Sequence, residues 1–218
     1  MADDPIVIDT ASKPDAAVVW LHGLGADGHD FEPIVPELRL PANARYRFVF
    51  PHAPIRPVTI NGGAEMRAWY DIDPRAPLSG DGDIRQSAQA VRALIEAQIE
   101  AGIAPRRVVL AGFSQGGVIA LHLGLRYDRA IAGIMALSTY LHDAERLTEE
   151  LRLENADTPI LMCHGLGDPM IPITRAVTSR EVLKNLGYRV EWHEYAMGHG
   201  VCLEEIRDIA RWLAAVLS

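Results

Sequence analysis

The chain has 218 residues, 49% hydrophobic and 23% charged, with a formal net charge of −8. An acidic surface repels phosphate, which argues against a nucleic-acid or anionic-membrane partner. No stretch approaches the roughly 18 unbroken apolar residues of a membrane-spanning helix, and residues 1–13, with three aspartates, do not read as a signal peptide.

In chain order, apolar runs alternate with amphipathic stretches. Residues 6–8 and 190–195 read as outer strands. Residues 17–21, 47–50, 108–111, 131–137 and 159–163 read as buried strands, because short continuous apolar runs suit a parallel sheet covered on both faces. Residues 84–101 carry Ala88, Val91, Leu94, Ile95 and Ile99 as a helical stripe, ended by Gly102 with Pro105 beyond it. Residues 115–127, 174–186 and 203–217 are the other predicted helices. The first is apolar almost all round, the second stops at Gly187, and the third carries Ile206, Ile209, Leu213 and Val216 on one side. Strand-then-helix order predicts a single α/β domain over 1–218, without repeat or linker, with helices on both faces of a mostly parallel sheet of about seven strands.

Residues 51–82 break this rhythm. They are rich in Pro and Gly yet contain Ile55, Val58, Ile60, Met66, Trp69, Tyr70, Ile72 and Leu78, which is too apolar for disorder. They read as a loop packed on the sheet that also walls a substrate groove.

Gly112-Phe113-Ser114-Gln115-Gly116 matches G-x-S-x-G between a predicted strand and a predicted helix. This is the nucleophile elbow of the α/β-hydrolase fold, where the residues two before and two after the serine must be small. Ser114 also opens a helix, whose free N–H groups favour developing negative charge. A serine needs a base, and the base needs a group to set its tautomer; in this fold the order is Ser, then Asp or Glu, then His. Among the histidines after Ser114, His142 reads as exposed, while His164 and His193 read as structural residues of strands. His199 lies in Gly198-His199-Gly200, a loop between the last strand and the last helix, and is the expected base. Asp168 follows a buried strand and is the expected orienter, ahead of Asp143 and of Asp157, which reads as a turn or cap residue.

Two N–H groups must meet the oxyanion of an acyl-transfer intermediate. Gln115, directly after the nucleophile, supplies one. His22-Gly23-Leu24-Gly25, after an early strand, supplies the other through Leu24, with Gly23 and Gly25 letting the backbone come close. Gly23, Ile60, Met66, Trp69 and Tyr70 are the expected groove residues. Gly23, Gly25 and Gly28 also match a dinucleotide fingerprint, but residues 47–52 hold no acid for a ribose. No HExxH or other zinc pattern is present, so neither cofactor nor metal is expected. Cys163 and Cys202, without CxxC spacing, read as buried small side chains in a reduced, cytoplasmic setting.

The stretch Leu21-His22-Gly23-Leu24-Gly25-Ala26-Asp27-Gly28, Trp69-Tyr70-Asp71-Ile72, Gly112 to Gly117, His164-Gly165-x-x-Asp168-Pro169-x-Ile171-Pro172 and Gly198-His199-Gly200 together resemble the acyl-protein thioesterase/carboxylesterase family, in its bacterial carboxylesterase form. The resemblance runs from about Ile6 to the C-terminus. It implies a Ser114, Asp168 and His199 triad, Leu24 and Gln115 as oxyanion donors, hydrolysis of esters or acyl thioesters with lysophospholipid among the substrates, and a weak homodimer. The competing expectation is a non-catalytic ligand-binding module built on the same fold.

Overall fold

A computed structural model describes residues 3–76 and 80–218. Nine strands and six helices occur among the described residues, in the order β1 (Ile6–Asp9), β2 (Ala16–Leu21), α1 (Ile34–Glu37), β3 (Tyr46–Phe50), β4 (Ile55–Val58), β5 (Ala64–Arg67), α2 (Asp81–Glu100), β6 (Val108–Phe113), α3 (Gln115–Gly124), β7 (Gly133–Leu137), α4 (Ala144–Glu150), β8 (Ile160–Gly165), α5 (Ile173–Asn185), β9 (Val190–Tyr195) and α6 (Leu203–Val216). Seven strands form the central sheet, ordered β1-β3-β2-β6-β7-β8-β9. Only β1 runs antiparallel to its neighbour; every other pairing is parallel.

The period-2 geometry of a strand explains why these apolar runs are unbroken. In β2, Ala17, Val19 and Leu21 point to one face while Ala16, Val18 and Trp20 point to the other, and both sets are buried. The first face packs against α2, α3, α4 and α5 through residues such as Ile95, Ile119, Leu147 and Leu183. The second packs against α1 and α6 through Ile34, Ile209, Trp212 and Leu213. Burying each such aliphatic side chain contributes roughly 1.5–3 kcal/mol, so the sheet is held from both sides. Helix α3 is buried along its whole length, as its composition predicted. Gly102 and Gly187 follow helices at φ 100° and 89°, the left-handed conformation a C-terminal glycine allows.

Three elements differ from the sequence expectation. Within residues 51–82, strands β4 and β5 pair as an antiparallel hairpin in which Ile55 faces Arg67 and Val58 faces Ala64. Its turn uses Gly62 and Gly63 at positive φ. Leu78 lies outside the described residues. Helices α1 and α4 were not expected: α1 is one turn containing Pro36, and α4 buries only Leu147, so neither shows a helical stripe. The strand predicted at 131–137 begins at Gly133, the preceding residues serving as the approach.

Because β2, β6, β7, β8 and β9 are mutually parallel, their C-terminal ends share one edge of the sheet. The segments that leave those ends meet there.

Candidate active site

Ser114 stands between the end of β6 and the start of α3 with φ 53° and ψ −118°, a conformation costly for a residue bearing a β-carbon. The surroundings impose it. The Ser114 N–H donates to the Leu137 carbonyl at 2.8 Å, and Thr139 Oγ1 donates to the Ser114 carbonyl at 2.7 Å. A β-carbon at Gly112 would collide with the backbone of Gly116, and one at Gly116 would lie 2.6 Å from the Leu21 and His22 carbonyl oxygens. Both glycines are therefore sterically required, and Gly117 is required too, since a β-carbon there would press on Thr139.

His199 Nε2 is 2.9 Å from Ser114 Oγ, and His199 Nδ1 is 2.7 Å from Asp168 Oδ2. The structure thus brings together the three side chains singled out in the sequence. The second carboxylate oxygen of Asp168 accepts the N–H groups of Met170 and Ile171 at 2.8 and 2.9 Å. Burial pushes this carboxyl up, but the Ile171 N–H, His199 and the Met170 N–H outweigh it and hold Asp168 below its ordinary value. The acid therefore stays ionised beside the imidazole. The two loops are stitched by backbone bonds from Leu166 N–H to Tyr195 O and from Gly167 N–H to Met197 O. A β-carbon at Gly165 would strike the Gly198 carbonyl, so that glycine permits the close approach. The Phe113 ring flanks His199, with centroids 4.8 Å apart.

The loop after β2 lies directly against the nucleophile: a β-carbon at Gly23 would sit 3.4 Å from Ser114 Cβ. Gly25, at φ 77°, donates its N–H to the Arg67 carbonyl of β5. The backbone N–H groups of Leu24 and Gln115 donate to no protein acceptor among the described residues. His22 braces this loop from beneath. Its Nε2 accepts the Ala53 N–H at 3.0 Å, so Nδ1 carries the proton and donates to the Gly23 carbonyl at 2.7 Å. Burial depresses this imidazole to about 4, which keeps it neutral.

A cleft of about 580 Å³ opens over Ser114 and His199. Gly23, Ile60, Met66 and Tyr70 line it, as expected from the sequence. Trp69 does not: it is 2% exposed, and its indole N–H donates to the His22 carbonyl at 2.9 Å, so it supports the cleft from behind. Ile55 and Val58 also miss the cleft, since β4 turns the first outward and the second into the core. The Gln115 side chain fastens this wall to the elbow, accepting the Trp69 N–H and donating to the Tyr70 carbonyl, both at 2.7 Å. Tyr140, Met170 and Arg175 line the cleft from beyond β7 and β8. No motif marks them, and only their positions after strand ends pointed that way.

None of the rejected candidates bonds Ser114, although His164 Nε2 lies 3.5 Å from Asp168 Oδ2. His164 is buried and bonds the Ile171 carbonyl. His193 pairs with Glu191. His142 was expected to be exposed, but its side chain is only 9% exposed and sits 2.6 Å from Asp81, an acid contributed by α2. Asp143 pairs with Arg146, and the Asp157 carbonyl accepts from Arg189 in a turn. Cys163 is buried as expected, whereas Cys202 is half-exposed.

Near the start of α6, Glu205 is wholly buried, and among the described residues neither of its carboxylate oxygens has a hydrogen-bond partner. Burial, with Asp208 adding to it, raises this carboxyl to about 8. The unfolded chain ionises Glu205 near pH 4.5 and the folded chain only near 8. Its contribution to stability is therefore full below 4.5, is lost between 4.5 and 8, and then levels off. Glu205→Gln should remove this slope, raising Tm on the order of 5 °C at pH 8 relative to wild type, and by much less at pH 4.5. Equal shifts at both pH values in thermal melts would show that Glu205 is not neutral in the fold.

Comparison with known proteins points the same way. The model of the phospholipase/carboxylesterase family matches residues 2–217. Acyl-protein thioesterase 1 of Gibberella zeae is 36% identical, over 96% of this chain and 94% of that one. Its namesake in Neurospora crassa is also 36% identical, over 96% and 90%. Among solved structures, Arabidopsis thaliana SOBER1 superposes with a TM-score of 0.86 at 30% identity, over 93% of this chain and 99% of that one. Zea mays acyl-protein thioesterase 2 does so at 0.85 and 27% identity, over 98% and 99%.

Proposed function

Since this chain belongs to the phospholipase/carboxylesterase family and is a serine hydrolase of carboxylic esters or acyl thioesters, we propose that Ser114, His199 and Asp168 carry its chemistry through an acyl-Ser114 intermediate. The hydrogen-bonded line from Asp168 through His199 to Ser114 Oγ carries this reading.

His199 Nε2 takes the Ser114 proton as Oγ attacks the carbonyl carbon. The carbonyl oxygen becomes an oxyanion and receives the N–H groups of Leu24 and Gln115, which are fixed before substrate arrives; each such donor is worth on the order of 3 kcal/mol. The tetrahedral intermediate collapses, and His199 hands its proton to the leaving alcohol or thiol. A water molecule then gives a proton to His199 and attacks the acyl-serine, and the proton returns to Ser114 Oγ as the carboxylic acid departs. Ionised Asp168 holds Nδ1 as the donor and stabilises the imidazolium at each turn of the cycle.

The acyl chain lies along Ile60, Met66 and Tyr70 in this reading. A series of p-nitrophenyl esters from two to sixteen carbons, with matched thioesters, tests it. The expected result is kcat/KM rising about three- to fourfold per added methylene until the cleft is filled. Absence of turnover for every ester and thioester would defeat the assignment of chemistry. Turnover that ignores chain length would defeat only the cleft as acyl site. We place the enzyme in the cytoplasm, where its two free cysteines stay reduced. We also retain a weak homodimer, for which exposed Leu166 and Met170, flanking Asp168, offer apolar surface.

A further inference from the structure

The cleft is bordered by two charged side chains on opposite sides of β6 in the strand order. Asp30 follows β2, whereas Arg175 belongs to α5, which follows β8. Arg175 is held in place: its guanidinium carbon is 3.4 Å from the centroid of the Tyr140 ring, and Tyr140 Oη is 3.1 Å from Tyr70 Oη on the acyl wall. A cation stacked on an aromatic face is oriented, yet keeps its N–H groups free to bond elsewhere.

Fold stability does not explain this cation. Arg180, five residues further along α5, pairs with Glu181, and Arg146 of α4 pairs with Asp81 and Asp143. Among the described residues, no carboxylate lies within ion-pairing distance of Arg175, and its guanidinium donates no hydrogen bond. Arg175 also occupies the first turn of α5, where the helix dipole favours an acid and disfavours a base. An exposed arginine without a counter-charge, fixed at the mouth of an otherwise largely apolar cleft beside the nucleophile, suits an anionic group on the substrate.

We propose that Arg175 is a specificity-determining residue that selects esters or thioesters carrying an oxyanionic group, carboxylate or phosphate, on the portion of the substrate seated alongside Tyr70 and Tyr140. This rests on Ser114 acting as the nucleophile of the same cleft. The guanidinium fork receives two oxygens of the anion while the aliphatic spacer lies on the tyrosines. No bond of the anionic group is made or broken, so the group acts by binding alone.

The test compares kcat/KM for p-nitrophenyl adipate, whose acyl chain ends in a carboxylate, with p-nitrophenyl hexanoate, which matches its length without charge. A 6-phosphonohexanoate ester forms the third arm. Both members of each ratio are measured on the same preparation, so any loss of folded protein cancels. The adipate-to-hexanoate ratio should fall about tenfold in Arg175→Gln, chiefly through KM, and further in Arg175→Glu. Arg175→Lys should retain most of it, and raising salt from 0.02 to 0.5 M should erode it in the wild type. A larger change for the phosphonate arm would identify phosphate as the preferred anion, and a larger change for adipate would identify carboxylate. Ratios unmoved by Arg175→Gln in both anionic arms, with hexanoate still cleaved, would overturn the proposal and leave Ser114 untouched. If Ser114→Ala still cleaves hexanoate, the nucleophile reading falls and this proposal falls with it.

Discussion

Ser114→Ala is expected to lower kcat on the order of 10⁴- to 10⁶-fold and to abolish labelling by a fluorophosphonate probe, while the protein remains folded. The size follows from the position: Ser114 Oγ is the hydroxyl presented to His199 Nε2, and nothing else at the elbow can form the acyl bond. Ser114→Gly separates chemistry from strain. It should be equally inactive, yet more stable by about 1 kcal/mol, or roughly 2–4 °C in Tm. Release of the φ 53° conformation is worth about 1–3 kcal/mol, and the extra freedom of glycine in the unfolded chain takes back about 0.4–1 kcal/mol. Kinetics on p-nitrophenyl butyrate and thermal melts of both variants check this. Retained turnover in Ser114→Ala would defeat the nucleophile assignment, and a less stable Ser114→Gly would show that the elbow is not strained.

Asp168→Asn should cost on the order of 10⁴-fold in kcat, with KM little changed. The geometry forces the outcome. One oxygen of Asp168 accepts two backbone N–H groups, from Met170 and Ile171, so an asparagine must keep its carbonyl oxygen on that side. Its NH2 group then faces His199 Nδ1. That nitrogen can only accept, which moves the ring proton to Nε2 and leaves Ser114 Oγ without a base. A loss of less than tenfold in steady-state kinetics would mean that Asp168 does not set the tautomer.

The central sheet was legible because its strands are covered on both faces, which writes them as unbroken apolar runs. The convergence of Ser114, His199 and Asp168 was legible for a related reason: Gly112, Gly116 and Gly165 are demanded by backbone contacts, so steric necessity leaves a trace in the sequence. The β4–β5 hairpin was not read, because Pro57 and the exposed Ile55 and Glu65 spoil the alternation, although Gly62-Gly63 was an available turn signal. Trp69 was misplaced because apolarity shows that a side chain is buried, not which cavity or core it faces. Tyr140 and Arg175 were invisible for the opposite reason. They reach the cleft from two separate connections, and no local pattern records which side chains a sheet will bring to its edge.

Ser114 and His199 lie 85 positions apart, and Asp168 is separated from His199 by 31. The imidazole hangs on the connection after β9, an edge strand that among the described residues pairs with β8 alone. If His199 is the base as proposed, a chain still emerging from the ribosome is chemically silent until its final strand has docked, and a refolding chain can own most of its core while cleaving nothing. On the proposed mechanism, return of turnover is therefore a clock for the docking of β9.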